Sequence, residues 1–162
     1  MGSVEKAVDA FLFSGMLVVA VACVLIYTQV LLPQAPFPHF LVQLKNWYVD
    51  RYDHYLLRER PPFFVGLIWY EFLFDVPIIV LNLYAILTAK PWFKTTCLIY
   101  GVAVCTAMTA VLPEMLAAGE KSSKLMSIYI PLIGLGVVAA LRGLPSHSIF
   151  GMSPEASTKK HV

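Results

Sequence analysis

The segment "WYEFLFDVP", residues 69 to 77, sets two carboxylates four residues apart in an otherwise apolar run. In a helix Glu71 and Asp75 share a face, and Asn82, seven beyond Asp75, stays on it. An acid turned towards hydrocarbon costs about 3 kcal/mol or more, so this stripe must point inward. Two ionised carboxylates one turn apart repel, and the pair is expected to hold at least one proton. Apart from Lys94 at the very start of the third, no Lys, Arg or His falls inside the apolar runs to neutralise them. The acids must pair with each other, with hydroxyls, with water or with a group brought from outside. Two uses follow: capture of a cationic or hydroxyl-bearing ligand, and proton transfer between an acid and a base. A hydrogen bond to a neighbouring helix is the structural alternative.

The elements that position these residues are legible from composition. The chain has 162 residues, 59% hydrophobic and 14% charged, with a mean hydropathy of +0.72. A soluble domain carries roughly a quarter charged residues. A net charge of +2 without a Lys/Arg cluster gives no case for nucleic-acid binding. Four apolar segments are long enough to cross about 30 Å of hydrocarbon as helices. They run from about residue 10 to 32, 62 to 89, 93 to 116 and 125 to 141. Backbone groups in lipid must be satisfied internally, which makes these segments helices. The expected fold is an all-α integral membrane four-helix bundle. It comprises a short N-terminus (residues 1–9), a four-span domain (10–144) and a tail (145–162).

Short turns join the second, third and fourth spans, so these are antiparallel neighbours. The first connection, residues 33 to 61, is long and rich in Pro, aromatics and charges. Its middle, "HFLVQLKNWYVDRY", predicts a short interfacial helix with Phe40, Leu44, Trp47 and Tyr48 near one face. Pro77, Pro113 and Pro131 each remove a backbone bond within a span, freeing the carbonyls of Leu73, Thr109 and Ser127. Kinks there favour a cavity between the helices. Cys23, Cys97 and Cys105 show no metal-ligand spacing and are read as small apolar packing residues. No metal or cofactor is expected.

Four spans put both termini on one side. Lysines and arginines divide equally between the two sides, so charge does not orient the chain. The tail ends "KKHV", and Lys159 and Lys160 match a dilysine retrieval signal read from the cytosol. The expectation is an endoplasmic-reticulum membrane protein with cytosolic termini and a luminal first loop. Asp75 then lies near mid-bilayer and Glu71 about 6 Å closer to the lumen. Tyr27 and Gln29 at the end of the first span, Thr109 in the third and Tyr129 in the fourth fall at similar depth. Together they predict a pocket capped by the loop and open sideways to lipid.

At these residues the chain resembles the sigma-2 receptor family of the EXPERA group, which also holds the sterol isomerase emopamil-binding protein. The matching stretches are "QVLLP", "LKNWYVDRYDHYLLRERPPFF", "YEFLFDVPII" and "SIYIP". The resemblance implies a cavity in the luminal half of the bundle, with Asp53, Glu71 and Tyr129 at family binding positions. It also implies a homodimer, residence in the endoplasmic reticulum and a part in sterol handling. The chain departs from the family at Tyr27, where the family has an aspartate, and at Asp75, where it has a neutral residue. The implied function is binding of a sterol-like lipid, with Glu71, Asp53, Asp75, Tyr129, Tyr27, Gln29 and Thr109 as candidate ligand residues. A sterol double-bond isomerase is the alternative. However, the isomerase branch carries an intramembrane His, and His39, His54, His147 and His161 all lie outside the spans. Small residues in "IGLGVVAA" (Gly134, Gly136, Ala139, Ala140) suggest a helix–helix contact within the bundle or with a partner.

Overall fold

The computed structural model describes residues 2–32 and 36–144. Lys159 and Lys160 lie outside the described residues. Four long apolar helices form the body: α1 (Ser3–Leu31), α4 (Pro62–Thr88), α5 (Phe93–Ala118) and α6 (Ser123–Gly143). Among the described residues there is no strand. The first connection folds into α2 (His39–Tyr52) and the short α3 (Tyr55–Glu59). Both end on left-handed residues, Asp53 and Arg60. The second is followed by Pro61 and Pro62, which open α4.

The interfacial helix covers the predicted residues, but its predicted apolar face divides. Phe40 and Trp47 turn away from the bundle, at 65% and 59% exposure. Tyr48 turns inward. An aromatic stripe at the end of the spans suits the headgroup level of a bilayer.

Polar ties and one seam of small residues join the spans, and a further tie holds the first connection to them. At the termini end, Asp9 of α1 accepts from Arg142 of α6 through both oxygens, at 2.8 and 3.2 Å. The Arg142 guanidinium also sits 5.9 Å from the centre of the Phe93 ring. Helix α1 begins at Ser3, ahead of the apolar run near Ala10, and the pair satisfies Asp9 where it enters the bundle. A paired carboxylate can enter the apolar part of the bundle where a bare one would be costly. The pair also fixes both termini of the bundle on the same side.

Between α4 and α5, Thr96 donates to Asn82 Oδ1 at 2.6 Å, and Asn82 returns a bond to the Thr96 carbonyl at 3.3 Å. At the opposite end, Gln29 of α1 donates to the Leu41 carbonyl of α2 at 2.9 Å.

The α5–α6 seam is the tightest in the molecule. A methyl on Gly101 would collide with backbone of Gly136 and Ala140, and one on Gly143 would meet Leu98 and the Lys94 carbonyl. Of the "IGLGVVAA" run, Gly136 and Ala139 are buried, whereas a methyl on Gly134 would meet open space. The small residues therefore serve packing inside the bundle.

Candidate ligand cavity

Two of the spans lose regular α-helical winding at the same place. Cys23–Tyr27 of α1 and Glu71–Asp75 of α4 each form a wider π turn, and the two turns lie against one another. In α4 the Val76 N–H reaches back five residues to the Glu71 carbonyl. Pro77 follows, with no N–H to offer Leu73, so ordinary winding could not have been continuous there. In α1, side chains take up nearby carbonyls. The Thr28 hydroxyl bonds Val24 O at 2.6 Å and the Gln29 amide bonds Leu25 O at 2.7 Å. Such widened turns recur at functional sites because they push side chains and backbone out of register with the rest of the helix.

Between these turns and the other two spans lies a cavity of about 540 Å³. That is within the range of pockets for small organic ligands. Its lining on α1 runs from Phe11 to Tyr27, about 24 Å at 1.5 Å per residue. The space is therefore elongated and extends well past the luminal half predicted for it. Glu71 and Asp75 line it from α4, Tyr100, Val104 and Met108 from α5, and Ile128, Pro131, Leu132 and Leu135 from α6. Tyr48 and Tyr52 of α2 close one end, so the loop forms a roof as expected. Burial raises the Tyr48 phenol to about 12, which keeps it a neutral donor. Phe11 and Val18, 52% and 67% exposed, stand at the side of the cavity and face out of the bundle. With exposed Ser14 of α1 and Pro131 of α6 also in the lining, the opening falls between α1 and α6, within the apolar length of both helices.

Polar groups are few, and several lack partners. Asp75 is 5% exposed and Tyr100 fully buried. Neither Asp75 Oδ1 nor the Tyr100 hydroxyl has a hydrogen-bond partner among the described groups. Glu71 Oε2 has only the Cys23 thiol, 4.0 Å away, a weak donor at long range. Buried polar atoms are nearly always paired, so two orphans lining one cavity mark where a ligand's polar group would sit.

Of the predicted site residues, the cavity brings together Glu71, Asp75 and Tyr27. Gln29 is buried, but both amide contacts go to backbone carbonyls, so it joins α1 to the roof and does not line the cavity. Tyr129 is buried behind the lining, beside Tyr27, with its ring 6.1 Å from that of His54. Asp53 lies outside. Its carboxylate is about half exposed and 3.4 Å from Arg58, a surface pair of small energetic weight. Thr109 also lies outside, exposed on α5 with its hydroxyl on the Thr106 carbonyl at 2.6 Å.

Sequence reasoning missed Tyr100, Tyr52, Cys23 and His54. The one signal for Tyr100 was a lone polar tip within "CLIYGVAVC". Cys23 is a packing residue by composition, yet it lines the cavity. His54 lies outside the spans but folds back onto them. It is fully buried against Tyr48, Phe64 and Tyr129, at centroid distances of 5.7, 5.9 and 6.1 Å. Its Nδ1 accepts the Leu57 N–H at 3.3 Å and caps α3. Burial lowers its pKa from the usual 6.5 to about 4, so the ring is neutral near pH 7. With Nδ1 accepting, the proton sits on Nε2.

Comparison with known proteins adds an independent line. Residues 40–142 match the model of the family described as EBP: EXPERA (EXPanded EBP superfamily). The Sigma intracellular receptor 2 of Homo sapiens is 27% identical over 121 residues, covering 65% of this chain and 69% of that protein. That of Macaca fascicularis gives the same figures. The Xenopus tropicalis protein is 24% identical over 130 residues, covering 72% and 76%.

Proposed function

Because the chain belongs to the EXPERA (EXPanded EBP) superfamily, we propose that it is a membrane receptor or carrier for a sterol-like lipid bearing a hydroxyl. The observation that supports this best is the polarity of the cavity. It is long, mostly apolar and open to hydrocarbon, with Asp75 Oδ1 and the Tyr100 hydroxyl unpartnered along its length. A single alcohol can donate to the carboxyl and accept from the phenol, which satisfies both orphans at once. The ligand's apolar body would then lie among Gly15, Val19, Met108 and Leu135. A ligand of this kind is already dissolved in the bilayer and would enter from the side.

The relatives are named as intracellular receptors. The reading extends that to this chain: an intracellular membrane, the endoplasmic reticulum, with cytosolic termini and Lys159 and Lys160 as the sorting signal. Replacing both lysines by serine and following the protein by microscopy tests it; unchanged location would remove that part.

The binding test is photolabelling of the purified protein with a diazirine sterol, with and without excess unlabelled sterol. Competable labelling around Glu71, Tyr100 and Leu132 supports the reading. A folded sample with no competable labelling overturns it.

A second reading has one observation in its favour: Glu71 and Asp75 lie on a single π turn in the same cavity. Two carboxyls so placed are what sterol double-bond isomerisation needs, one giving a proton to a carbon and one taking it from another. Incubation with a sterol diene, analysed for the shifted double bond, decides between the two.

A further inference from the structure

We propose that α1 is a hinged gate on the side opening of the cavity, and that the Asp9–Arg142 ion pair is its latch. The opening lies between α1 and α6, and the pair joins the same two helices just beyond its termini end. Asp9 is two residues before Phe11, the first α1 residue of the cavity. Arg142 is seven residues, about two turns, after Leu135, the last α6 residue of the cavity.

The two sides of the opening are held very differently. On one side α6 is locked to α5 by the backbone-close seam at Gly101, Gly136 and Gly143. It cannot swing without breaking that seam. On the other side the Ser3–Ala22 part of α1 rests along the Val76–Thr88 part of α4 and meets α6 more sparsely, within the cavity at Gly15 against the Leu135 side chain. A leucine side chain can change rotamer, whereas a backbone seam cannot yield. Near the pivot, Tyr27 of α1 and Tyr129 of α6 are hydrogen-bonded to each other; at the end that would swing, the bidentate Asp9–Arg142 pair is the one ion pair joining α1 to α6 among the described residues. Its side chains are only 12–13% exposed, so water screens it little.

A gate also needs a pivot and an anchor, and α1 has both. The π turn at Cys23–Tyr27 interrupts its regular winding next to the acids. A turn of this kind is a defined point of bending in an otherwise stiff helix. Beyond it, Gln29 ties the far end of α1 to the Leu41 carbonyl of the roof. With that end anchored and the Asp9 end released, the Ser3–Ala22 part of α1 tilts about the π turn on its α4 face, away from α6. The movement widens the opening along Phe11, Ser14 and Val18. The latch therefore sets how fast a ligand exchanges with the bilayer, not how tightly it is held.

The molecule contains its own reporter. Cys23 is 4% exposed and lines the cavity, so a lipid-soluble thiol reagent reaches it only when the opening is wide. Cys105 lies at the α5–α6 seam, near Gly136, and reports general loosening. The test follows alkylation of each cysteine by N-ethylmaleimide in the full-length protein in bilayers, resolved by mass spectrometry. Asp9→Asn and Arg142→Gln are expected to speed Cys23 labelling about tenfold, with Cys105 unchanged. The charge-swapped double variant, Asp9→Arg with Arg142→Asp, is expected to return Cys23 towards its original rate. Three outcomes overturn the gate: no change at Cys23 in the single variants, an equal rise at Cys105, or no restoration by the swap. No ligand is used, so failure of the sterol reading leaves this result standing, and the reverse also holds.

Discussion

Asp75 of α4 and Tyr100 of α5 line one cavity, and each carries a buried oxygen with no hydrogen-bond partner among the described groups. Leaving either unpaired costs on the order of 1–3 kcal/mol. A bound alcohol recovers that cost, and the Tyr100 contribution can be isolated. Tyr100→Phe removes one orphan, so the unliganded protein should be no less stable. Affinity for a sterol with a free hydroxyl should fall about tenfold. Affinity for the matching methyl ether, measured in the same competition assay, should change far less. Equal losses for the two ligands would show that the phenol only shapes the cavity.

The carboxyls are separable by the same approach. Glu71→Gln and Asp75→Asn keep size and polarity while turning one of two carboxyl oxygens into an NH2 donor, so the fold should survive both. Each is expected to weaken sterol binding about tenfold, as the loss of one hydrogen bond to a buried group implies. Thr109→Val serves as the control. Its hydroxyl bonds only the Thr106 carbonyl on an exposed face of α5, and binding should stay the same. If Thr109→Val weakened binding as much as Glu71→Gln, the cavity would be wrongly placed.

The gross fold was readable because hydrocarbon imposes strong rules on sequence. Four runs long enough to span must be helices, and the amphipathic period in residues 39 to 52 gave α2 its correct extent. Glu71, Asp75 and Asn82 were placed inward correctly because an acid towards lipid is too costly. The misses came from partners remote in sequence. Asp9 reads as lying outside the first span because its partner, Arg142, is 133 residues away. Gln29 and Thr109 are polar residues at a plausible depth, but depth alone does not say which way a side chain points. The Gln29 amide nitrogen donates to the Leu25 and Leu41 carbonyls, away from the cavity, and Thr109 faces outward. The π turns shift the helical phase by part of a turn, which no fixed period of 3.6 can anticipate. Tyr100 and Cys23 were hidden because their composition is that of ordinary core residues.

The α5–α6 seam makes a prediction about two glycines of contrasting role. Gly101→Val places its side chain against the backbone of Gly136 and Ala140, atoms that cannot move aside. It should prevent stable folding or lower the midpoint of thermal unfolding by many degrees. Gly134→Ala adds its methyl into open space. It should be neutral or stabilise by up to about 1 kcal/mol, the helix preference of Ala over Gly. Thermal unfolding in detergent, read by loss of the monodisperse gel-filtration peak, compares the two. A harmful Gly134→Ala would instead point to a close partner on that face.

His54 gives a pH dependence whose sign is fixed by its burial. The folded protein keeps this ring neutral down to about pH 4, whereas an unfolded histidine takes up a proton near 6.5. Between those values the unfolded state binds more protons. Stability is therefore full above about 6.5 and falls as the pH drops towards 4, with a slope of at most about 1.4 kcal/mol per pH unit. His54→Asn isolates the effect, since asparagine retains an acceptor for the Leu57 N–H but does not titrate. Unfolding midpoints measured from pH 7.5 to 5 should drop more steeply for the original protein than for the variant, with the two curves parallel above pH 7. Other carboxylates and histidines contribute equally to both curves and cancel in the difference. Two curves that stay parallel down to pH 5 would mean that His54 is hydrated and able to accept a proton without disturbing the roof formed by Tyr48 and Phe64.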